Sequence, residues 1–284
     1  MSDKKAKHYL TCTDFSVSNE KFDLLYHEEL DLLQTTPVPS LKDLPQYYKS
    51  ENYISHTNSN KSLFDKVYQV VRNYTLKKKV SLINSFDLDE KSLLDVGCGT
   101  GHFLNAAKNN GWKVSGMEPD DDARAIADSI LDEKVFSDID QLNEEKFDCI
   151  TLWHVLEHVP KVEDYIQKLE ALLKPNGRLL IAVPNFKSYD ANFYKEHWAA
   201  FDVPRHLWHF SQTAIKKLFG AQNFKIEKTA PMKFDAFYVS LLSEQYKKNK
   251  LGVFRGFIIG CLSNFKAKRT SEYSSLIYVL KKNS

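Results

Sequence analysis

The stretch Leu93-Leu94-Asp95-Val96-Gly97-Cys98-Gly99-Thr100-Gly101-His102-Phe103 decides the fold. An apolar run that reads as a buried strand ends in three glycines, and a helical pattern begins behind them. Glycine lets the backbone turn sharply and approach a ligand closely. Amides at the start of the following helix can meet an anionic group, a carboxylate as readily as a phosphate. The spacing narrows the ligand. A dinucleotide fingerprint needs G-x-G-x-x-G, whereas here the third glycine comes one residue early and position 102 is His. No Gly-Lys-Ser/Thr follows, which excludes a phosphate-binding P-loop. Asp95 puts a negative charge beside the loop, unhelpful to a pyrophosphate and useful to an ammonium or sulfonium.

Short apolar runs alternate with helical stretches on the C-terminal side of this loop. Strands are expected at Ser92–Val96, Lys113–Glu118, Lys134–Phe136, Phe147–Trp153, Arg178–Val183, Phe224–Thr229 and Leu276–Leu280. Helices are expected at Phe103–Asn109, Asp121–Leu131 and Val162–Leu173, the last stopped by Pro175-Asn176-Gly177. Ser211 can cap another. This alternation implies an α/β fold, with a parallel sheet covered by helices on both faces. Right-handed crossovers then bring the C-terminal strand ends to one edge, where ligands bind. Glu118 and Pro119 lie there, and Glu118 can accept hydrogen bonds from both hydroxyls of a ribose.

Residues 1–60 read as an N-terminal extension with a lid segment, and 61–284 as the main domain, with a helical insertion over about 233–270. Leu63, Phe64, Val67, Tyr68, Val71 and Tyr74 trace an amphipathic helix that can continue toward Ile83, with Lys77, Lys78 and Lys79 as a solvated face. The chain has 284 residues, 43% of them hydrophobic, a proportion that suits a folded domain without disulfide or metal staples. Its four cysteines form no CxxC pair, so no metal is expected. Lys and Arg exceed Asp and Glu by two, so no global field favours nucleic acid. No run reaches the roughly 20 apolar residues of a spanning helix, and nothing reads as a signal peptide, so a cytoplasmic protein is expected.

DVGCGTG, then GMEPD, FDCITLWHVLEHV and LLKPNGRLLIAVPN, in this order over residues 88–230, resemble class I S-adenosylmethionine-dependent methyltransferases, in particular bacterial ones similar to quinone-biosynthesis O-methyltransferases. The resemblance implies a Rossmann-like, seven-stranded sheet, mostly parallel with an antiparallel last strand. It also implies S-adenosylmethionine as cofactor and S-adenosylhomocysteine as product. Asp95, Gly97, Cys98, Gly99 and Gly101 would surround the methionine moiety. Glu118, followed by Pro119, would hold the ribose. Asp138 would lie near the adenine, with Asp140 as an alternative, and Trp153 and His154 would flank the cofactor. Tyr48, Tyr53 and His56 resemble a lid that closes over it. Relatives often carry a zinc ribbon ahead of that lid; here only Cys12 remains, and a small strand pair is what the resemblance leaves.

Methyl transfer from a sulfonium is an in-line displacement, and the protein can assist by positioning the acceptor and removing its proton. Histidine suits that task. His154, Glu157 and His158 form an H-x-x-E-H string. His158 is the candidate general base or acceptor-orienting group, set against the reading of a hydrogen-bonded core histidine, and His154 and His209 are further catalytic candidates. Some quinone O-methyltransferases bind a divalent cation through E-x-x-E-H, but His154 stands where the first Glu would be. In the segment 185–210, Arg205, His206 and Trp198 are the acceptor-binding candidates, against a reading in which they lock and pack the loop. The stripe Phe254, Phe257, Ile258, Cys261, Leu262 and Phe265, set between lysine clusters, reads first as core or a subunit contact and second as a peripheral membrane contact. The expected protein is an O-methylating enzyme for a small-molecule, glycan-linked or lipid-linked acceptor. An RNA-modifying enzyme and a non-catalytic cofactor-binding scaffold are the rivals.

Overall fold

The computed structural model describes residues 6–40, 42–48, 63–88, 90–142 and 145–283. Three antiparallel strands come first, β1 (Lys7–Thr13), β2 (Lys21–His27) and β3 (Leu32–Thr36), followed by the helix α1 (Leu63–Ile83). Then β4 (Ser92–Val96), α2 (His102–Lys108), β5 (Lys113–Met117), α3 (Asp121–Leu131), β6 (Phe147–Trp153), α4 (Val162–Leu172) and β7 (Leu173–Pro184) alternate as expected. The remainder comprises α5 (Tyr189–Tyr194), β8 (Trp208–His209), α6 (Gln212–Gly220), β9 (Phe224–Pro231), α7 (Asp235–Tyr246), α8 (Gly252–Thr270) and β10 (Ser275–Lys282).

The central sheet has the order β5-β4-β6-β7-β10-β9, and β10 runs antiparallel to both neighbours. Strand alternation divides its side chains between two layers. Leu93, Cys149, Leu180 and Val279 pack with Ile83 of α1, Leu104 of α2 and Leu131 of α3. Leu94, Ile150, Leu179 and Ile181 face the other way, onto Ile166 of α4 and Leu218 of α6. Six strands form the sheet, one fewer than the resemblance implies. The expected strand at Lys134–Phe136 is a single parallel bridge between Met117 and Phe136. Phe136 makes both bonds of that pairing, its amide donating to the Gly116 carbonyl at 2.9 Å and its carbonyl accepting the Glu118 amide at 2.8 Å, while the Val135 amide turns the other way, to the Asp128 carboxylate at 2.7 Å. The helix stops at Leu172, within a residue of the expected end, but the Pro175-Asn176-Gly177 turn behind it lies inside a strand. Leu173 already pairs with Phe147 and the next pair is Cys149 with Arg178, so the turn is a bulge inside β7.

The N-terminal strands form a second sheet of order β1-β2-β3-β8, whose last member comes from the 185–210 segment. This is more than the strand pair expected, and Cys12 is an ordinary buried member of its apolar core. Arg205 joins the two parts. Its guanidinium donates to both Asp202 carboxylate oxygens, to Asp14 Oδ1 at 3.0 Å, to the Tyr47 carbonyl at 2.8 Å and to the Ser16 hydroxyl. Asp14 also collects the Val17 and Ser18 amides, and its carboxyl is held below the usual range by these bonds and by Arg205, against its burial. Removing one member of a buried ion pair strands the other, at about 3–5 kcal/mol. Urea unfolding of Arg205→Met is expected to show a loss of that size. A loss under about 1 kcal/mol would mean that the cluster behaves like an exposed pair.

Candidate active site

The glycine loop lies between β4 and α2 at the C-terminal edge of the sheet, and two of its glycines serve different needs. Gly97 has φ +69°, and a Cβ there would stand 2.5 Å from Val155 Cγ2, so the protein's own packing requires glycine. Gly99 has φ +54°, with nothing within 4 Å of a Cβ position. Its outer side is open. Glu118, at the end of β5, closes the loop from behind: Oε2 accepts the Gly99 amide at 2.8 Å and Oε1 the Asp120 amide at 3.0 Å. Burial pushes this carboxyl above its ordinary range. Each oxygen keeps a second lone pair, which suits a pair of hydroxyls.

Asp95 faces the layer that α1 covers. It accepts from Thr151 Oγ1 across the sheet at 2.5 Å, and burial pushes its carboxyl up to about 7. Lys79 reaches toward it from α1, with its ammonium 4.1 Å above the Trp153 ring centroid. Burial lowers this lysine to about 8, opposed by the charges of Asp95 and Asp235. Lys79 is therefore not part of a solvated face as expected, whereas Lys77 and Lys78 are exposed. The signal was its place between Leu76, Val80 and Ile83 on the inward side of the helix. The Trp153 indole N–H is buried and has no hydrogen-bond partner among the described residues. An acid, an aromatic face that already attracts a cation, an unspent donor and an open glycine loop fit a cationic nucleoside such as S-adenosylmethionine.

His154 follows β6 in the left-handed region, with φ +59°, an unusual conformation for a non-glycine residue. Its amide donates to the Ala182 carbonyl at 2.9 Å. Its ring lies between Asp235 (Nε2, 3.1 Å) and Glu157 (Nδ1, 3.4 Å). These two carboxylates raise its pKa to about 10 against the effect of burial, so the ring is a standing imidazolium. A proton held that firmly makes His154 a fixed positive charge rather than a base, which corrects its catalytic assignment. Asp235 was not anticipated; it is fifty residues past Asn185, where the last quoted motif ends, and nothing local marks it.

His158 differs. Its Nδ1 lies 3.0 Å from the Arg205 carbonyl and 3.1 Å from the Tyr48 hydroxyl. A carbonyl only accepts, so Nδ1 carries the proton and Nε2 keeps its lone pair. Burial, reinforced by His206, lowers the ring to about 4, so it is neutral. His206 stands edge-on to it with centroids 4.6 Å apart, and its Nδ1 faces the Ala200 carbonyl at 2.9 Å. Between these rings and His154 lies Glu157, fully buried, whose partner among the described residues is the His154 ring, 3.4 Å from Oε1. Nearby histidines hold it ionised, below the usual carboxyl range, against desolvation. Glu157, His158 and His206 bring ligand-type atoms within 4.8 Å of one another.

Other expectations fare unevenly. Arg205 is spent on internal partners, which leaves it no free fork for an acceptor. Trp198 is buried and donates to Asp190 at 2.8 Å, so it packs rather than stacks on substrate. His209 is buried, with Thr35 Oγ1 at 3.0 Å and the His206 ring centroid at 6.4 Å. Asp138 is exposed and caps a turn by accepting the Asp140 amide, and Asp140 pairs with Lys168. Pro119 is exposed at the strand end and Cys98 is half-buried in the loop. Tyr53 and His56 lie outside the described residues.

Residues 68–229 match the family described as "Methyltransferase domain". A ubiquinone biosynthesis O-methyltransferase of Histophilus somni (strain 2336) is 38% identical over 117 residues, 36% of this chain and 49% of that protein. One of Coxiella burnetii (strain Dugway 5J108-111) is 33% identical over 112 residues, 36% and 48% of the two chains. The chain thus spans about half the length of the curated relatives it matches. Among solved structures, the cyclopropane synthase MmaA2 of Mycobacterium tuberculosis aligns at TM-score 0.56 with 14% identity, over 87% of this chain and all of that one. Magnesium protoporphyrin IX methyltransferase from Synechocystis PCC 6803, solved with bound SAH, aligns at 0.53 with 18% identity, over 85% and 94%. At such identities the likeness is one of fold. The match over more than half of its residues places this chain in the methyltransferase-domain family, and its fold is the Rossmann-like one of these solved neighbours.

Proposed function

We propose that the protein transfers a methyl group from S-adenosylmethionine to a hydroxyl oxygen of a small-molecule, glycan-linked or lipid-linked biosynthetic intermediate. The observation that carries this reading is His158, a neutral imidazole whose Nδ1 proton goes to the Arg205 carbonyl, in the turn that follows β6, the sheet neighbour of the strand that ends in the glycine loop. When bound, the cofactor supplies a methyl group on a sulfonium, open to in-line displacement. Asp95 offers that positive charge a favourable partner, Glu118 receives the ribose hydroxyls, and the open side of Gly99 leaves room for the methionine moiety. His158 Nε2 accepts the hydrogen bond of the acceptor hydroxyl and orients its oxygen toward the methyl group. The His206 ring limits where His158 can turn. The named function of the ubiquinone-pathway relatives supports oxygen as the acceptor atom.

Three outcomes follow from these roles. Glu118→Gln is expected to weaken S-adenosylhomocysteine binding by roughly 10–100-fold in calorimetry, the worth of a charge-assisted acceptor. Affinity for S-adenosylmethionine should fall as pH drops from about 8 to about 6. Asp95 takes up a proton through its pKa of about 7 and loses the charge that attracts the sulfonium. Asp95→Asn should flatten that dependence. Transfer of labelled methyl groups into small-molecule, glycan and lipid fractions of a cell extract should fall at least about 100-fold in His158→Ala, with homocysteine-nucleoside affinity intact. Transfer that is absent from every fraction with the unaltered protein, or unaffected by the substitution, would favour a scaffold role.

A further inference from the structure

The α7–α8 hairpin presents an apolar face that the fold leaves bare. Its inner side is made of small residues. A Cβ at Gly256 would come within 3.1 Å of the Leu241 backbone, and one at Gly260 within 2.7 Å of Phe237. Gly252, Gly256, Gly260, Ser263 and Ala267 therefore face α7 and the body. The large residues of the same helix point the other way. Val253 is 80% exposed, Phe254 70%, Phe257 58% and Phe265 66%, with Ile258 and Leu262 beside them. Of the two alternatives in the first reading, core or subunit contact, the exposure removes the core. At the hairpin turn, Lys250, Leu251, Val253, Phe254 and Phe257 line an open groove of about 450 Å³.

We infer that this face docks on an anionic lipid bilayer. The charge pattern selects that partner. From Gln245 to Ser271 the chain carries seven Lys and Arg residues and no Asp or Glu. Arg255 is paired with Glu244 and Lys266 lies over Tyr189, but Lys247, Lys248, Lys250, Lys268 and Arg269 are exposed at the two ends of the stripe. An apolar, aromatic face with cations at its margins matches the boundary between acyl chains and anionic headgroups. Two-fold pairing of this face with a second copy would set these basic margins against each other with no acid in the stretch to compensate them. No helix among the described residues is long and apolar enough to cross a membrane, so the contact is with the surface. The hairpin also begins at the site, since Asp235 at the start of α7 holds His154 and Phe234 stacks edge-on against Tyr74. Docking would bring the site close to the headgroup layer and favour a lipid-linked acceptor, a corollary that rests on the methyl-transfer reading. The docking itself does not.

Flotation of the full chain with phosphatidylcholine vesicles, and with vesicles containing roughly 30% phosphatidylglycerol, tests this. At about 0.1 M salt the anionic vesicles are expected to bind at least about tenfold more protein, and about 0.5 M salt should release most of it. Phe254→Ser/Phe257→Ser/Leu262→Ser should lower binding at least about tenfold while unfolding temperature and S-adenosylhomocysteine affinity stay as they were. Lys247→Gln/Lys248→Gln/Lys250→Gln should remove most of the preference for anionic lipid. Equal, weak binding to both vesicle types would overturn the inference. So would a dimer in sedimentation equilibrium that the triple Ser variant dissolves without any vesicle binding by the unaltered chain.

Discussion

Arg205 is the constraint on which the acceptor side of this molecule depends. Its guanidinium is shared among Asp14 and Ser16 from the first β-ribbon, Tyr47 from the short helix behind it, and Asp202 from the segment after β7. Such a group is not tolerated half-satisfied, because a buried charge without partners costs more than the protein can spare. Satisfying it brings three distant parts of the chain to one point. The next residues are then fixed in turn: the Leu207 amide donates to the Glu157 carbonyl at 2.8 Å, and the Trp208 indole to the Val159 carbonyl at 2.9 Å. His206 is carried against His158 by the same placement. An arginine expected to greet a substrate builds the wall of the site instead.

The cradle and the histidine cluster keep opposite charge states within a few residues of one another. His154, between two carboxylates, holds its proton; His158, pressed against another histidine and a carbonyl, does without one. The environment sets each role, since the two side chains are chemically alike. The same holds for lysine. Lys79 leaves water for an aromatic face and a buried acid, where the next helical neighbour, Lys78, remains in solvent.

The central sheet was legible because its strands and helices bury alternate residues, a pattern visible without knowledge of partners. The bounds of β4, α3 and β6 follow from that pattern alone, and the Ser211 cap forms as read, accepting the Ala214 amide at 3.0 Å. The glycine loop and Glu118 were legible for the same reason, being local in sequence. The third expected strand shrinks to the one bridge at Phe136, and so short an apolar run does not show by its pattern how far its pairing extends. Asp235, Lys79 and the fate of Arg205, Trp198 and His209 depend on contacts between remote segments, which periodicity does not carry. The outward stripe of α8 was visible as a stripe, but which side faces solvent was settled by the glycines opposite it.

The pairing of β3 with β8 has a consequence for biosynthesis. Leu33 takes His209 as its partner and Gln34 takes Trp208, across more than 170 residues of chain. While the polypeptide is still being made, the outer strand of the first ribbon has an unfilled ladder edge until that pair has left the ribosome. Such an edge is an invitation to wrong partners, and contacts of this separation form slowly. Completion of the ribbon therefore waits for most of the chain to be made, and its outer edge stays open to other strands until then.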